Sequence, residues 1–308
     1  MTDYKLPANL GIAHVELNVL NLEHMLVFYR DLLGFSLVAQ DATSAQLAPA
    51  PDAAPILTLC APPDLKRQPQ FSTGLYHVAY RFPDRRSLGT TLLGVAASQW
   101  PLQGASDHRV SEAIYFADPE GNGIEIYRDR PREDWPTLDG LVQMGNLPLD
   151  LNALVEEADR ERANQGGIDP EVVIGHIHLQ VSNTATAAAF YGDLLGMDVM
   201  MEMPTAIFMA AGGYHHHLGG NTWHSNGAPR HEDDMSGLAS YAYELPEAAD
   251  WLALAERLQG AGQALQSVER AGRPGILLRD QDGNRVELLT APGAQVSAKV
   301  AELAEASA

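Results

Sequence analysis

One cysteine, Cys60, is present among 308 residues, so no intramolecular disulfide can form. That usage fits a reducing, cytoplasmic compartment. No apolar run approaches the roughly 18 residues that a membrane-spanning helix needs. The opening stretch, MTDYKLPANLGIAH, lacks a basic start followed by an apolar segment, so no secretory signal is expected. Basic residues are scarce: 20 Lys and Arg stand against 40 Asp and Glu, for a formal net charge of −20 at pH 7. Such a charge repels phosphate backbones and anionic lipid, which argues against nucleic-acid and membrane partners and favours solubility. Hydrophobic residues make up 45% of the chain, enough for sizeable cores, and the length leaves room for two domains.

What the sequence does have is repetition. GIAHVELNVLNLEHMLVFYRDLLGFSLV, from residue 11, resembles IGHIHLQVSNTATAAAFYGDLLGMDVM, from residue 174. His14 aligns with His176, and Glu125 of DPEGNGIE aligns with Glu287 of DQDGNRVE. Both pairs are 162 residues apart (176 − 14 and 287 − 125). LYHVAYRFP at 75 aligns in turn with LASYAYELP at 238. Equal offsets at distant points indicate duplication of a whole domain.

Each half divides again. Apolar alternation predicts a strand over 12–19, and the following pattern predicts a helix over 22–33 closed by Gly34. Short strands are expected at 36–40, 44–48 and 55–60. A second unit opens at Leu75, with a helix over 85–97 and strands at 100–103, 111–117 and 122–128. The fold class expected is therefore α+β, with four βαβββ modules forming two cup-shaped, mixed-sheet halves. The domains are an N-terminal one over 1–130 and a C-terminal one over 173–292. They are joined by a linker over 131–172 and followed by a helical tail over 293–308. LDLNALVEEADRER in the linker reads as one helix.

Polar residues recur on the first strands. Val15, Leu17 and Val19 form one face of the first, and His14, Glu16 and Asn18 the other. His176, His178 and Gln180 oppose Ile177 and Leu179 in the same way, and His77 opposes Tyr76, Val78 and Tyr80. A single strand histidine is most simply a structural or surface residue. Recurrence at one strand position in three modules points instead to a polar, concave site. Glu125 raises a related question. It alternates with Ile124 and Ile126 in the middle of a strand, and a carboxylate buried there needs a positive partner. Arg128 and Arg130 lie toward the end of the same run and fit poorly.

The four βαβββ modules and the two FYxDLLG helices resemble the vicinal oxygen chelate superfamily over nearly the whole chain. Within it, residues 106–125 resemble the signature of the type I extradiol ring-cleaving dioxygenases, and of the catechol 2,3-dioxygenase group among them. The matching residues are His108, the pair Ile114-Tyr115, the turn Asp118-Pro119-x-Gly121, and Glu125. Ser106 departs from the pattern, which usually has glycine or one of a few other residues there. The resemblance implies Fe(II), or Mn(II) on the same donors, bound by two histidines and one carboxylate. It implies a catecholic substrate and O2 as partners, and leaves association into a homo-oligomer open. A metal would be the missing partner of Glu125.

The resemblance also pairs an odd module with an even one around the metal. The fourth module has Ser240 in place of His77 and Leu277 in place of Tyr115, so the second module is expected to host the site with His77 and Glu125. The third ligand is then His14 if modules one and two pair, or His176 if two and three do. The family's acid-base histidine lies on the odd module's last strand. PILTLCA has no histidine, whereas GYHHHLGGNTW offers His216, with His215 and His217 as alternatives should the strand alternate otherwise. The expected set is thus His77, His176 and Glu125 as metal ligands, with His216, Tyr115 and His108 as catalytic residues. A glyoxalase-type isomerase or transferase would need a fourth, carboxylate ligand that neither last strand supplies. A non-catalytic binding protein of this superfamily would have little use for the full set.

Overall fold

A computed structural model of the chain describes residues 4–230 and 232–306. Four βαβββ modules follow one another, as the repeats predict. The first contains β1 (Gly11–Asn18), α1 (Leu22–Leu26), β2 (Ser36–Gln40), β3 (Ser44–Ala48) and β4 (Leu57–Cys60). The second contains β5 (Gly74–Phe82), α2 (Arg85–Ala97), β6 (Leu102–Asp107), β7 (Ser111–Ala117) and β8 (Gly123–Asp129). The connecting segment holds a small hairpin, β9 (Thr137–Leu138) and β10 (Leu141–Val142), then α3 (Leu151–Glu156) and α4 (Arg160–Gln165). The third module contains β11 (Val173–Gln180), α5 (Thr184–Ala187), β12 (Asp198–Met203), β13 (Ala206–Ala210) and β14 (Leu218–Asn221). The fourth contains β15 (Gly237–Leu245), α6 (Ala248–Gly260), β16 (Gln266–Arg270), β17 (Arg273–Arg279) and β18 (Arg285–Thr290), and α7 (Ser297–Ala306) follows. Among the described residues, no helix is long and apolar enough to cross a membrane.

The chain divides into two compact units. One comprises Leu17–Arg67 and Leu75–Ile177; the other comprises the residues up to Glu16, Gln68–Gly74, and those from His178 onward. The first strands of modules one and three are thereby shared out. His176 belongs to the unit of module two, and His14 and Glu16 belong to the unit of module four.

In the first of these units the strand order is β11-β5-β8-β7-β6. β5 and β8 run parallel, with Ala79 opposite Glu125, and β7 runs antiparallel to β8, with Tyr115 opposite Glu125. The parallel pair requires a crossover, which α2 and the β6–β7 hairpin provide. The FYxDLLG and DPEGN motifs prove to be one structural device. The Tyr29 hydroxyl donates to Asp118 at 3.1 Å, and Asp118 also accepts from the backbone of Glu120 and Asn122 and from the Asn122 amide. The other unit repeats the arrangement with Tyr191 and Asp280 at 2.7 Å. Burial pushes both aspartates up to about 6 against these hydrogen bonds.

The structure departs from the sequence reading in four places. The helix expected over 22–33 is α-helical only to Leu26 and becomes π-helical over Val27–Leu32, as its counterpart does over Ala188–Leu194. β6 begins at Leu102 and runs to Asp107, because Trp100 still bonds back to Val95 and Pro101 has no N–H to offer a ladder. LDLNALVEEADRER forms two helices, since the Asp159 side chain accepts from the backbone of Arg162 and starts a new one. His215, His216 and His217 precede β14 in an irregular segment and are not part of a strand. The tail helix, whose partner the sequence does not reveal, packs on β16 and β17, with Val296, Val300 and Leu303 buried.

Gly34 ends the first helix at φ +84°, and a Cβ there would come within 2.5 Å of the backbone at Gly167 and Ile168. Gly34→Ala is therefore expected to cost at least about 1–3 kcal/mol, from left-handed strain plus the backbone clash. Denaturant unfolding checks this, and a cost within about 0.5 kcal/mol of zero would show that the junction yields freely.

Candidate metal centre

Three strands aim one side chain each at a common point. On β5 and β8 the register sets His77 opposite Gly123, so Glu125, two residues further, projects from the same face as His77. β11 neighbours β5 and contributes His176. The Nε2 atoms of His77 and His176 each lie 3.0 Å from Oε2 of Glu125, and 3.3 Å from one another. All three side chains are buried: His176 is 1% exposed, Glu125 2% and His77 6%. Among the described residues, this is the group of histidine, cysteine and acidic side chains whose ligand atoms can hold a metal ion, and His14 is not in it.

The triangle has the dimensions of one face of a coordination octahedron. Metal–donor bonds of about 2.1 Å meeting at right angles put neighbouring donors about 3.0 Å apart. Two imidazoles and a carboxylate suit a divalent metal, and a triad on one side leaves the opposite positions open. A purely hydrogen-bonded cluster would instead leave a buried carboxylate compensated only by two imidazoles, an expensive arrangement. Burial alone would push the Glu125 carboxyl upward, but His176 and His77 hold it well below the usual carboxylate range. Arg128 and Arg130, the other cations of that run, are engaged with Glu112 and with Asp107 on a different face.

Beside the triad stands a second polar pair. Nδ1 of His108 lies 2.7 Å from the Gly145 carbonyl oxygen, which can only accept, so the ring proton is assigned to Nδ1. Nε2 is then the acceptor for the Tyr115 hydroxyl, 2.6 Å away. Tyr115 faces Glu125 across the β7–β8 ladder, and its ring centroid is 5.7 Å from that of His77. Burial, and next the charge of Glu125, raise its phenol well above the ordinary value. Both effects favour the protonated phenol, the form that donates to His108.

Three contributors carry no motif. Tyr127, fully buried two residues after Glu125, packs its ring 5.1 Å from His176. Gly175, just before His176, leaves room for that phenol: a Cβ at 175 would lie 1.7 Å from the Tyr127 oxygen. The alternation of β8 places Tyr127 on the Glu125 face, which was the available signal. The linker residue Gly145 could be found only from the fold, because its carbonyl reaches His108 from 37 positions away in sequence.

The remaining expected residues lie in the other unit. His216 is half-buried, with its Nδ1 2.8 Å from Nδ1 of the buried His215 and its ring 5.1 Å from Phe208. His217 Nδ1 accepts from the backbone of Ala211 at 3.2 Å. Since no strand runs through these residues, strand alternation does not decide which of them faces inward.

Gly175→Ala should force Tyr127 and the adjoining histidine apart. The expected cost is about 1–3 kcal/mol by denaturant unfolding, typical of overpacking, together with weakened metal retention. Tyr127→Phe in the same chain should recover part of both, because the closest clash is with the hydroxyl.

Comparison with known proteins agrees with this architecture. A catechol-2,3-dioxygenase of Bacillus subtilis (strain 168) is 38% identical over 266 residues, covering 85% of this chain and 92% of that protein. A solved structure from Bacillus subtilis subsp. subtilis str. 168 aligns with a TM-score of 0.64 at 15% identity, over 95% of this chain and 88% of that one. Glyoxalase I from Zea mays aligns with a TM-score of 0.54 at 15% identity, over 96% and 95%. These two likenesses speak to fold alone. Residues 11–126 and 173–288, one span in each half, match a single family model, and the chain belongs to the Glyoxalase/Bleomycin resistance protein/Dioxygenase superfamily.

Proposed function

We propose that this protein cleaves the ring of a catechol, or of a substituted catechol, beside one hydroxyl group with O2, using Fe(II) held by His77, Glu125 and His176. The observation that carries this reading is the buried triangle of two imidazole nitrogens and one carboxylate oxygen. The name of the 38% identical relative supports it. Fe(II), or Mn(II) on the same donors, would supply two-point binding of the diol and the redox chemistry of O2.

The chain's own residues divide the remaining work. As metal ligands, two imidazoles and one carboxylate carry a charge of −1, so a divalent ion would keep a net positive charge that attracts a catecholate. Tyr115 and His108 act as a coupled donor and acceptor. The Gly145 carbonyl fixes the tautomer of His108, and the Tyr115 hydroxyl donates its hydrogen bond to Nε2 or, when it turns, to a substrate oxygen. The resemblance gives His216 the role of taking the proton of a substrate hydroxyl and returning it to the product, as a neutral imidazole can near pH 7. When His215 accepts in the His215–His216 hydrogen bond, His216 carries its proton on Nδ1 and Nε2 is its unprotonated nitrogen.

Each of His77→Ala, Glu125→Ala and His176→Ala should lose bound metal and oxygen uptake on catechol while keeping a folded circular-dichroism spectrum. His14→Ala should keep its metal. Retention of metal in His176→Ala, with loss in His14→Ala, would reject this ligand set. Catechol-dependent oxygen uptake also separates the reading from a glyoxalase-type isomerase and from a binding protein, neither of which consumes O2.

His216→Phe should keep its metal and lose about 10²–10⁴-fold in rate, the usual yield of positioned proton transfer. The loss should shrink with 4-nitrocatechol, which ionises more readily. His215→Phe and His217→Phe serve as comparisons. Loss of rate in one of them, with His216→Phe unaffected, moves the role to that neighbour.

A further inference from the structure

The linker runs beside His108 and grips that end of β6 through three consecutive residues. The amide of Gly145 donates to the His108 carbonyl at 3.0 Å, and Nδ1 of His108 donates to the Gly145 carbonyl at 2.7 Å. Leu147 and Asp107 exchange two main-chain hydrogen bonds, each of 2.9 Å. Between these pairs, Oδ1 of Asn146 accepts from the Ser106 hydroxyl, which also lies 3.5 Å from the Leu147 carbonyl oxygen. Ser106 is buried, at 4% exposure, and it is the position at which the chain departs from the dioxygenase signature.

Packing does little to hold this segment. Gly145 has no side chain, and Asn146, Leu147 and Pro148 are exposed. Main-chain pairing is indifferent to side-chain identity, and register is weakly specified where no buried face selects it. A slip of two residues would keep a ladder yet carry the Gly145 carbonyl about 7 Å along the strand, away from His108. The bond from Ser106 to Asn146 joins two particular side chains. A buried hydroxyl is costly without an acceptor, so it favours the register that supplies one. That register matters beyond the fold. A His108 ring protonated on Nε2 instead of Nδ1 cannot accept from the Tyr115 hydroxyl.

We propose that Ser106 and Asn146 are positioning residues. Their hydrogen bond sets the register of residues 145–147, so that the Gly145 carbonyl keeps the His108 proton on Nδ1 and leaves Nε2 to Tyr115. The proposal rests on the catalytic roles given above to His108 and Tyr115. The linker then supplies part of the active site's alignment, and Ser106 is the residue of the signature strand that recruits it.

The test reads proton position and amide exchange in the metal-free, full-length protein, by nuclear magnetic resonance of 15N-labelled chain. The parent should show His108 as a single tautomer with its proton on Nδ1, the signal being assigned by its loss in His108→Gln. Ser106→Ala and Asn146→Ala should each speed exchange of the Gly145 and Leu147 amides by about 2- to 10-fold, the yield of one hydrogen bond, and together no more than either alone. Asn146→Asp should behave like the parent, because its carboxylate still accepts from Ser106. Leu147→Pro removes one amide donor from an exposed position. Combined with Ser106→Ala, it should give His108 a second population protonated on Nε2, and kcat for catechol should fall by about tenfold or more. Unchanged exchange in both Ser106→Ala and Asn146→Ala would overturn the proposal. A single Nδ1 tautomer in Ser106→Ala/Leu147→Pro would overturn it equally. The resonance measurements do not depend on turnover, so a parent protein without catechol-dependent oxygen uptake would count against the catalytic reading and not against the anchor.

Discussion

A carboxylate buried in the middle of a sheet must meet a cation, and the molecule is organised around meeting that demand twice. Glu125 and Glu287 occupy corresponding positions on β8 and β18, each opposite an alanine on a parallel neighbour. Leaving either unpaired would cost several kcal/mol. Around Glu125, two histidines converge on the same oxygen and leave space for an ion. Around Glu287, a serine and an arginine close the space. The two halves of one duplicated frame differ in what meets the carboxylate: two imidazoles that could share a metal ion with it in one, the chain's own guanidinium in the other.

The rest of the half that holds the triad serves to keep its three donor atoms in register. Parallel pairing fixes His77 relative to Glu125, and the turn before β8 is held by Asp118 through Tyr29 and Asn122. The missing Cβ of Gly175 lets Tyr127 lie against His176. Tyr127, Ala79 and Ala113 form a buried cluster against which Tyr115 packs. A displacement of any of these would be felt at the donor atoms, because close-packed interiors transmit strain.

Much of this was legible in the sequence, for identifiable reasons. The offset of 162 residues exposes the duplication. Period-two alternation places His77, His176 and Glu125 on polar strand faces, and the signature around His108 and Tyr115 marks the module that hosts the site. Arg270 carries no sequence mark of its own, because its significance depends on what it touches, Glu287 and Glu16. Gly145 and Gly175 contribute a carbonyl and an empty volume, neither of which has a side-chain signal. The three histidines fall where the module repeat predicts a last strand, but the ladder with β13 begins only at Leu218. The break in the linker helix depended on Asp159 preferring to cap a new helix over continuing the old one.

The central claim is that His77, Glu125 and His176 together hold one metal ion. Anomalous diffraction at the iron absorption edge, from crystals of protein loaded anaerobically with Fe(II), tests it most directly. The account predicts one strong peak in the chain, within bonding distance of Nε2 of His77, Nε2 of His176 and a carboxylate oxygen of Glu125, and no peak beside Glu287. A peak bonded to His14 in place of His176, or no peak at the triad in crystals that carry iron elsewhere, would contradict it.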